Sequence, residues 1–381
     1  MEIKQWKDIL HIVSGKNQKA VENPNGKYPI YGSGGLMGYA DDYLCEAGTT
    51  IVGRKGTINR PIFVTEPFWN IDTAFGIAPD KGLVPKYLYY FCVHFNFMPL
   101  DKSTGRPSLA KSDLLKIEMP VPPLPEQERI VARIEELFSQ LDAGVETLKK
   151  TKAQLAVYRQ AVLKEAFEGR LTASGPEKIV RLGDYIETPR YGTSKKCSYD
   201  DGRDRTAVYR IPNIEHKNGR ISHDDIKYAQ FTESELDGIR LRQGDILIIR
   251  SNGSVSLVGR AAMVCDADIT GTFAGYLMRL RISEPETLLP KFLLLFLQSH
   301  QARIYIENKA KSTSGVHNIN STEISDLQMP LYDPDTQYAI IEAIESRLSV
   351  CDSIEHTVDL ALQQAEAMRQ SILKDAFEGR L

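Results

Sequence analysis

The chain has 381 residues, 42% of them apolar and 25% charged, with a formal net charge of −3. That composition is globular rather than disordered, and the length exceeds one ordinary core, so two domains or more are expected. The longest apolar run, 292–297, is too short to cross a membrane, and the N-terminal Met-Glu-Ile-Lys-Gln-Trp has no apolar signal-peptide core. Five scattered cysteines (Cys45, Cys92, Cys197, Cys265, Cys351) contain no Cys-x-x-Cys pair. They fit a reducing, cytoplasmic setting and argue against a disulfide framework or structural zinc.

Charge is unevenly spread. Residues 1–124 are net +2, 125–171 net 0, 172–330 net +1 and 331–381 net −6. The acidity sits in the last segment, so the two large segments remain free to carry basic patches. The expected organisation is a first head over 1–124, a helix over 125–171, a second head over 172–330 and a second helix over 331–381.

In chain order, the first head is rich in Gly, Tyr and β-formers. Thr50-Ile-Val-Gly53 and Pro61-Ile-Phe-Val64 are read as strands flanking a Gly-rich hairpin, followed by a short helix at 85–95. The run Met119-Pro-Val-Pro-Pro-Leu-Pro125 marks the start of a long helix over about 126–167, ending at Glu168-Gly169. In the second head, 245–250 and 257–264 flank Ser251-Asn252-Gly253-Ser254, with a helix expected over 289–306. Met329-Pro-Leu-Tyr-Asp-Pro334 then opens a second long helix over about 335–377.

The two halves repeat. Leu163-Lys-Glu-Ala-Phe-Glu-Gly-Arg-Leu171 returns as Leu373-Lys-Asp-Ala-Phe-Glu-Gly-Arg-Leu381, an offset of 210. The same offset matches Met119-Pro120 to Met329-Pro330, Gln127 to Gln337, Gly105 to Gly315 and Leu109 to Ile319. One ungapped offset over about 65 residues signals a tandem duplication. Both helices carry heptads. Ile134, Leu141, Leu148, Leu155 and Val162 make one seam, with Ile130, Leu137 and Tyr158 beside it. In the second helix Ile344, Cys351, Val358, Ala365 and Ile372 make a seam, with Ile340, Ile354, Ala361 and Met368 beside it and Arg347 interrupting. Such heptads predict coiled-coil packing, each helix being the economical partner of the other. A helix of about 42 residues is roughly 63 Å long, too long merely to cover its own small domain. The fold class expected is mixed α/β (α+β): two similar globular domains separated by two long helices in an antiparallel coiled coil, an internal pseudo-twofold repeat.

No phosphate loop, zinc-binding His-Glu-x-x-His or Gly-x-Ser-x-Gly elbow occurs, and the seven histidines have no metal spacing. No catalytic residue, metal or cofactor is assigned. What remains is recognition. Two heads with one frame and different loops suit two different half-sites on duplex DNA, whose turn repeats every 34–36 Å or so. Arg54, Lys55, Asn59 and Arg60 in the first-half hairpin, and Arg250, Ser251 and Asn252 in the second, have the side chains that read guanine and adenine edges. Lys16 near Tyr31, and Arg190, Tyr191, Lys195 and Lys196, suit phosphate contact. Arg106 and His317 lie in the loops before the helices, and Arg210 and Asn213 in the Tyr209-Arg-Ile-Pro-Asn run.

The chain resembles the specificity subunits of type I restriction–modification systems along essentially its whole length. The resemblance is carried by Pro122-Pro-Leu-Pro-Glu-Gln-Glu128, both Leu-Lys-(Glu/Asp)-Ala-Phe-Glu-Gly-Arg-Leu tails and Gly53-Arg-Lys-Gly-Thr57. Tyr191-Gly-Thr-Ser-Lys-Lys-Cys197, Tyr209-Arg-Ile-Pro-Asn-Ile214, Asn218-Gly-Arg-Ile221, Gly244-Asp-Ile-Leu247 and Arg250-Ser-Asn-Gly253 add to it. It implies a non-catalytic subunit that binds a bipartite, asymmetric double-stranded DNA site through two recognition domains. It also implies docking of methyltransferase (modification) subunits, two of them, and of restriction/translocase subunits. Leu331-Tyr-Asp-Pro334 replaces the Pro-Pro-Leu-Pro run in the second half, a looser match. A coiled-coil scaffold joining two protein-binding heads without DNA contact stays as the alternative, and a nuclease with a hidden acidic site as a third reading.

Overall fold

The computed structural model describes residues 2–171, 175–202, 204–215, 217–310, 312–313 (backbone only) and 315–381. His216 and residues 172–174, where the second head was expected to begin, lie outside the described residues. The chain divides into two compact units, Met1–Lys150 with Val358–Leu381, and Thr151–Thr357.

In the first unit, strands Ile3–Gln5 and Glu118–Pro120 pair antiparallel and bring the two ends of the head together. An antiparallel sheet runs in the order Leu10–Ser14, Ala74–Pro79, Thr49–Gly53, Ile62–Val64. The sequence-predicted hairpin is its last pair. Thr49–Gly53 is buried throughout, as a run of β-formers covered on both faces should be. A second sheet orders Gly35–Ala40, Tyr28–Gly32 and Trp69–Asn70, the last pair parallel. Helix Pro85–His94 starts with proline, whose missing N–H costs nothing at a first turn. It packs its Tyr87, Leu88 and Phe91 into a core with Trp6, Val52, Ile77 and Phe97.

The second unit repeats this plan. Lys178–Arg181 pairs with Gln328–Leu331. A four-stranded sheet orders Arg190–Tyr191, Leu277–Leu280, Ile246–Ile249 and Ala261–Met263. A three-stranded sheet orders Lys227–Gln230, Arg205–Tyr209 and Thr272–Phe273, again with one parallel pair. Two local expectations need correction. The helix expected over 289–306 is two helices, Pro290–Gln298 and His300–Lys309. Ser299 ends the first through its N–H to Phe296 O and caps the second by accepting from Ala302 N. Ser251–Asn252, read as a hairpin tip, is a short strand paired with Val316–Asn318.

The long helices span Leu124–Phe167 and Pro334–Phe377. In the first unit Asp142 pairs with Arg369, and Arg129 donates to Leu381 O at 2.8 Å. In the second, Arg159 meets Asp352 at 2.7 Å and Glu355 at 3.2 Å, and Glu165 meets Arg347 at 3.8 Å. In each unit the partner number falls as the other rises, so the pairing is antiparallel. Arg347 is thus an ion-pair partner at the helix flank. The seam Ile344, Cys351, Val358 and Ala365 is buried, whereas Tyr158, Ile354 and Met368 of the adjoining seam are exposed. The two helices close on one stripe, while the second stripe is buried only where it meets the heads, at Ile130 and Ile340.

The repeated tails explain themselves through packing. Phe377 lies 5.2 Å from Tyr87 and 5.3 Å from Phe91, ring centre to ring centre. Phe167 lies 5.2 Å from Phe292 and 5.3 Å from Phe296. Leu163 and Ala166, and their counterparts Leu373 and Ala376, are buried in the same two cores. Each tail therefore plugs one head. Lys86–Glu135 and Lys291–Glu345 repeat an ion pair at the rim of each head, though exposed pairs of this kind add little stability.

Candidate nucleic-acid interface

The second unit holds a cleft of about 650 Å³ lined by Lys195, Arg210, Lys227 and Arg250, with Ser251, Tyr276, Asn318 and the turn 274–275 among its other walls. Among the described residues no carboxylate lines it. Strand pairing builds the cleft: Ile246–Ile249 delivers Arg250 at its end, and Ser251 sits opposite Asn318 across the short bridge. Arg250 stacks on the Tyr191 ring at 4.4 Å and donates from Nη1 to Gly275 O at 3.1 Å. The Tyr191 hydroxyl accepts from Ser321 N, which holds the ring as a platform.

Two of the four cations are already paired. Lys195 meets Glu235 at 2.7 Å and lies over the Phe231 ring. Arg210 meets Asp225 at 2.9 Å. The Tyr199 hydroxyl, with Arg210, holds the Asp225 carboxyl below the usual carboxylate range, and Lys195 does the same for Glu235. Arg250 and Lys227 form no ion pair among the described residues; Lys227 lies over Tyr199 at 4.6 Å. The cleft is therefore electropositive, with exposed tyrosines at hand (Tyr276 is 63% exposed).

In the first unit the expected residues form a looser set. Arg54 lies over the Phe75 ring at 5.7 Å and donates to Asp72 O at 3.4 Å. Lys55 sits opposite Ser108. Arg106 packs its guanidinium against Gly56, and the φ of +85° at Gly56 is a backbone conformation that favours glycine. Lys16 and Arg60 are exposed. Tyr31 is half-buried, in edge contact with Phe68, and burial raises its phenol above the ordinary value.

Other expected residues serve the scaffold. Asn59 accepts from Phe97 N and donates to Asn96, both at 2.7 Å, which ties its loop. Asn213 is fully buried; its oxygen accepts from Arg210 N and its amide donates to Ser222 O and Asp224 O. With no surface left it staples a turn and cannot meet an outside ligand. His317 bonds Ala310 O at 3.0 Å. Arg190 and Lys196 are exposed beside the cleft segment, and Asn252 is half-exposed. Lys227, Tyr276 and Asn318 were missed. Only Asn318 carried a signal, since the 210 offset maps it onto Ser108. Among the described residues no His/Cys/Asp/Glu cluster could hold a metal, and no helix is long and apolar enough to cross a membrane.

Comparison with known proteins gives a consistent set of likenesses. The family model for the type I restriction modification DNA specificity domain matches residues 1–156. The chain is 30% identical over 281 residues to the type I restriction enzyme EcoKI specificity subunit of Escherichia coli strain K12, covering 71% of this chain and 59% of that one. It is 26% identical over 346 residues to the StySPI specificity subunit of Salmonella potsdam, covering 86% and 73%. The chain thus spans less than two thirds of the first relative's length. A solved chain from work on complex assembly and conformational transition of the type I R-M system superposes with a TM-score of 0.77 at 16% identity, covering 100% of this chain and 98% of that one. That match establishes likeness of fold.

Proposed function

We propose that this chain acts as the type I restriction–modification specificity subunits it resembles do: it recognises a bipartite, asymmetric site on duplex DNA, one half-site per head, without catalysing a reaction itself. The heads are the segments 1–124 and 172–330, and the helical segments 125–171 and 331–381 set the gap between half-sites. Two modification subunits and the restriction/translocase subunits dock on it, in the cytoplasm.

The observation that carries this reading is the cleft of the second unit, whose described lining holds four cations and no Asp or Glu side chain. Polyanionic DNA binds where cations outnumber acids and aromatic faces stand exposed. Arg250, Lys227, Tyr276 and Asn318 meet that description together. A protein-binding head would instead show buried-type apolar anchors at its opening.

The test is genome-wide mapping of methylated adenine in cells carrying the modification subunit, with and without this chain. A two-part motif interrupted by a fixed gap should appear only when the chain is present. Unchanged methylation overturns the proposal.

A further inference from the structure

Arg54 and Arg250 are one residue used twice, although the 210-residue offset of the repeat does not align them. The N–H of Arg54 donates to Thr73 O at 2.8 Å, and that of Arg250 to Tyr276 O at 3.0 Å. Their carbonyls accept from Leu109 N at 2.8 Å and Ile319 N at 2.9 Å, two residues that the offset does pair. Each guanidinium gives Nη1 to the carbonyl one residue earlier than its backbone partner, Asp72 and Gly275. Each lies over an aromatic ring, Phe75 or Tyr191. The next residues, Lys55 and Ser251, face Ser108 and Asn318.

Around this matched arginine three neighbouring positions differ. Thr73 stands where Tyr276 does, Lys55 where Ser251 does, and Ser108 where Asn318 does. Neither guanidinium has a carboxylate partner among the described residues, yet both are half-buried. A half-buried charge without a counter-ion calls for an anion from outside.

We infer that Arg54 and Arg250 are matched phosphate anchors, each gripping a backbone oxyanion of duplex DNA, while the residues that differ around them read the bases. The inference rests on the DNA-recognition reading and assigns the two arginines a role in it that carries no sequence preference. A side chain held the same way in two heads reading different half-sites cannot be what tells those half-sites apart. It can supply the contact both half-sites share, and the sugar–phosphate backbone is common to every sequence.

The test uses the full chain and a pool of randomised duplexes, from which the wild type selects a preferred sequence. Affinity for one selected and one unselected duplex is then measured at several salt concentrations for R54A, R250A, R54K and R250K. Each alanine variant should lose about tenfold on both duplexes alike, with the slope of log affinity against log salt shallower by about one. The lysine variants should recover most of the loss and the full salt slope. Reselection with the variants should return the wild-type sequence. A loss confined to the selected duplex, or a reselected sequence relaxed at one base, makes the arginines base readers and overturns the inference. Equal loss in lysine and alanine variants with an unchanged salt slope makes them framework only and also overturns it. A wild-type chain that selects no duplex overturns the DNA reading itself, an outcome distinct from the other two.

Discussion

Gln127 Oε1 accepts the backbone N–H of Val84 at 2.8 Å, and 210 residues on Gln337 Oε1 accepts that of Leu289 at 2.9 Å. Both glutamines are fully buried. Their amides donate to Gly82 O and Pro122 O in one unit and to Thr287 O and Tyr332 O in the other. Each bond set joins the start of a long helix to the residue before a head helix, so each helix is keyed to one orientation on its head. Removing Gln337 strands the buried Leu289 N–H and Tyr332 carbonyl; removing Gln127 strands the buried Pro122 carbonyl and the half-buried Val84 N–H. Gln127→Ala and Gln337→Ala should each cost about 2–3 kcal/mol, measured by urea unfolding. The two share no partner, so the losses should add in the double variant.

The aromatic plugs give a second, localised prediction. Phe377→Ala opens a cavity against Tyr87 and Phe91 in the first unit only and should cost about 3–5 kcal/mol. Hydrogen exchange is the discriminating measurement: amides of Pro85–His94 should lose protection while those of Pro290–Gln298 keep theirs. Phe167→Ala should do the reverse. Equal loss in both helices would refute the packing described for the tails.

Much of this architecture was legible because it rests on local chemistry. Prolines at the helix starts, heptads and the duplicated tail each have one physical meaning, and the helices begin within two residues of the prolines that predict them. The site was less legible. Asn213 has the side chain of a base reader, but only the fold reveals that its three hydrogen bonds are spent inside a turn. Lys227 and Tyr276 lie on a strand and a turn with no motif nearby, and reach the cleft through pairings far apart in sequence. Arg54 and Arg250 look alike in sequence; their equivalent backbone partners become visible only once strands are in register. The exposed Tyr158, Ile354 and Met368 show the opposite failure, where a heptad position is present but no helix among the described residues covers it.

The residues around the matched arginines lead to a specificity prediction. Tyr276→Ala and Asn318→Ala remove a stacking face and a base-edge partner from the cleft without touching Arg250. Each should weaken binding to the preferred duplex by about 1–3 kcal/mol while leaving unselected duplex unchanged. Methylation mapping should show the altered preference in one half of the motif only. A uniform loss on all sequences would remove these two from base reading.

Cysteine reactivity tests the burial pattern independently. Cys45, Cys92 and Cys351 are each about 1% exposed, whereas Cys265 is exposed. Burial pushes the Cys45 thiol up to about 12 and raises that of Cys92 as well. Since the thiolate is the nucleophile, iodoacetamide should label the exposed Cys265, while raising pH from 7 to 9 should still leave Cys45 and Cys92 unlabelled. Both should react once the chain is unfolded. Mass spectrometry of iodoacetamide-treated native protein reads this directly, and early labelling of Cys92 would contradict the packing of Pro85–His94.

The last prediction concerns the long helices as spacers. Seven residues are two turns of a coiled coil and preserve its buried seam, so adding a heptad to both helices, between Leu141 and Leu155 and between Cys351 and Ala365, changes length without breaking the stripe. The added rise is about 10 Å, close to three base pairs of duplex. The methylated motif should keep both half-sites and lengthen its gap by about that amount. Adding three residues instead rotates the stripe off its partner and should abolish the motif rather than lengthen it. If the heptad variant methylates the original gap unchanged, the helices are not what sets it, and the spacing must be fixed by the docked subunits.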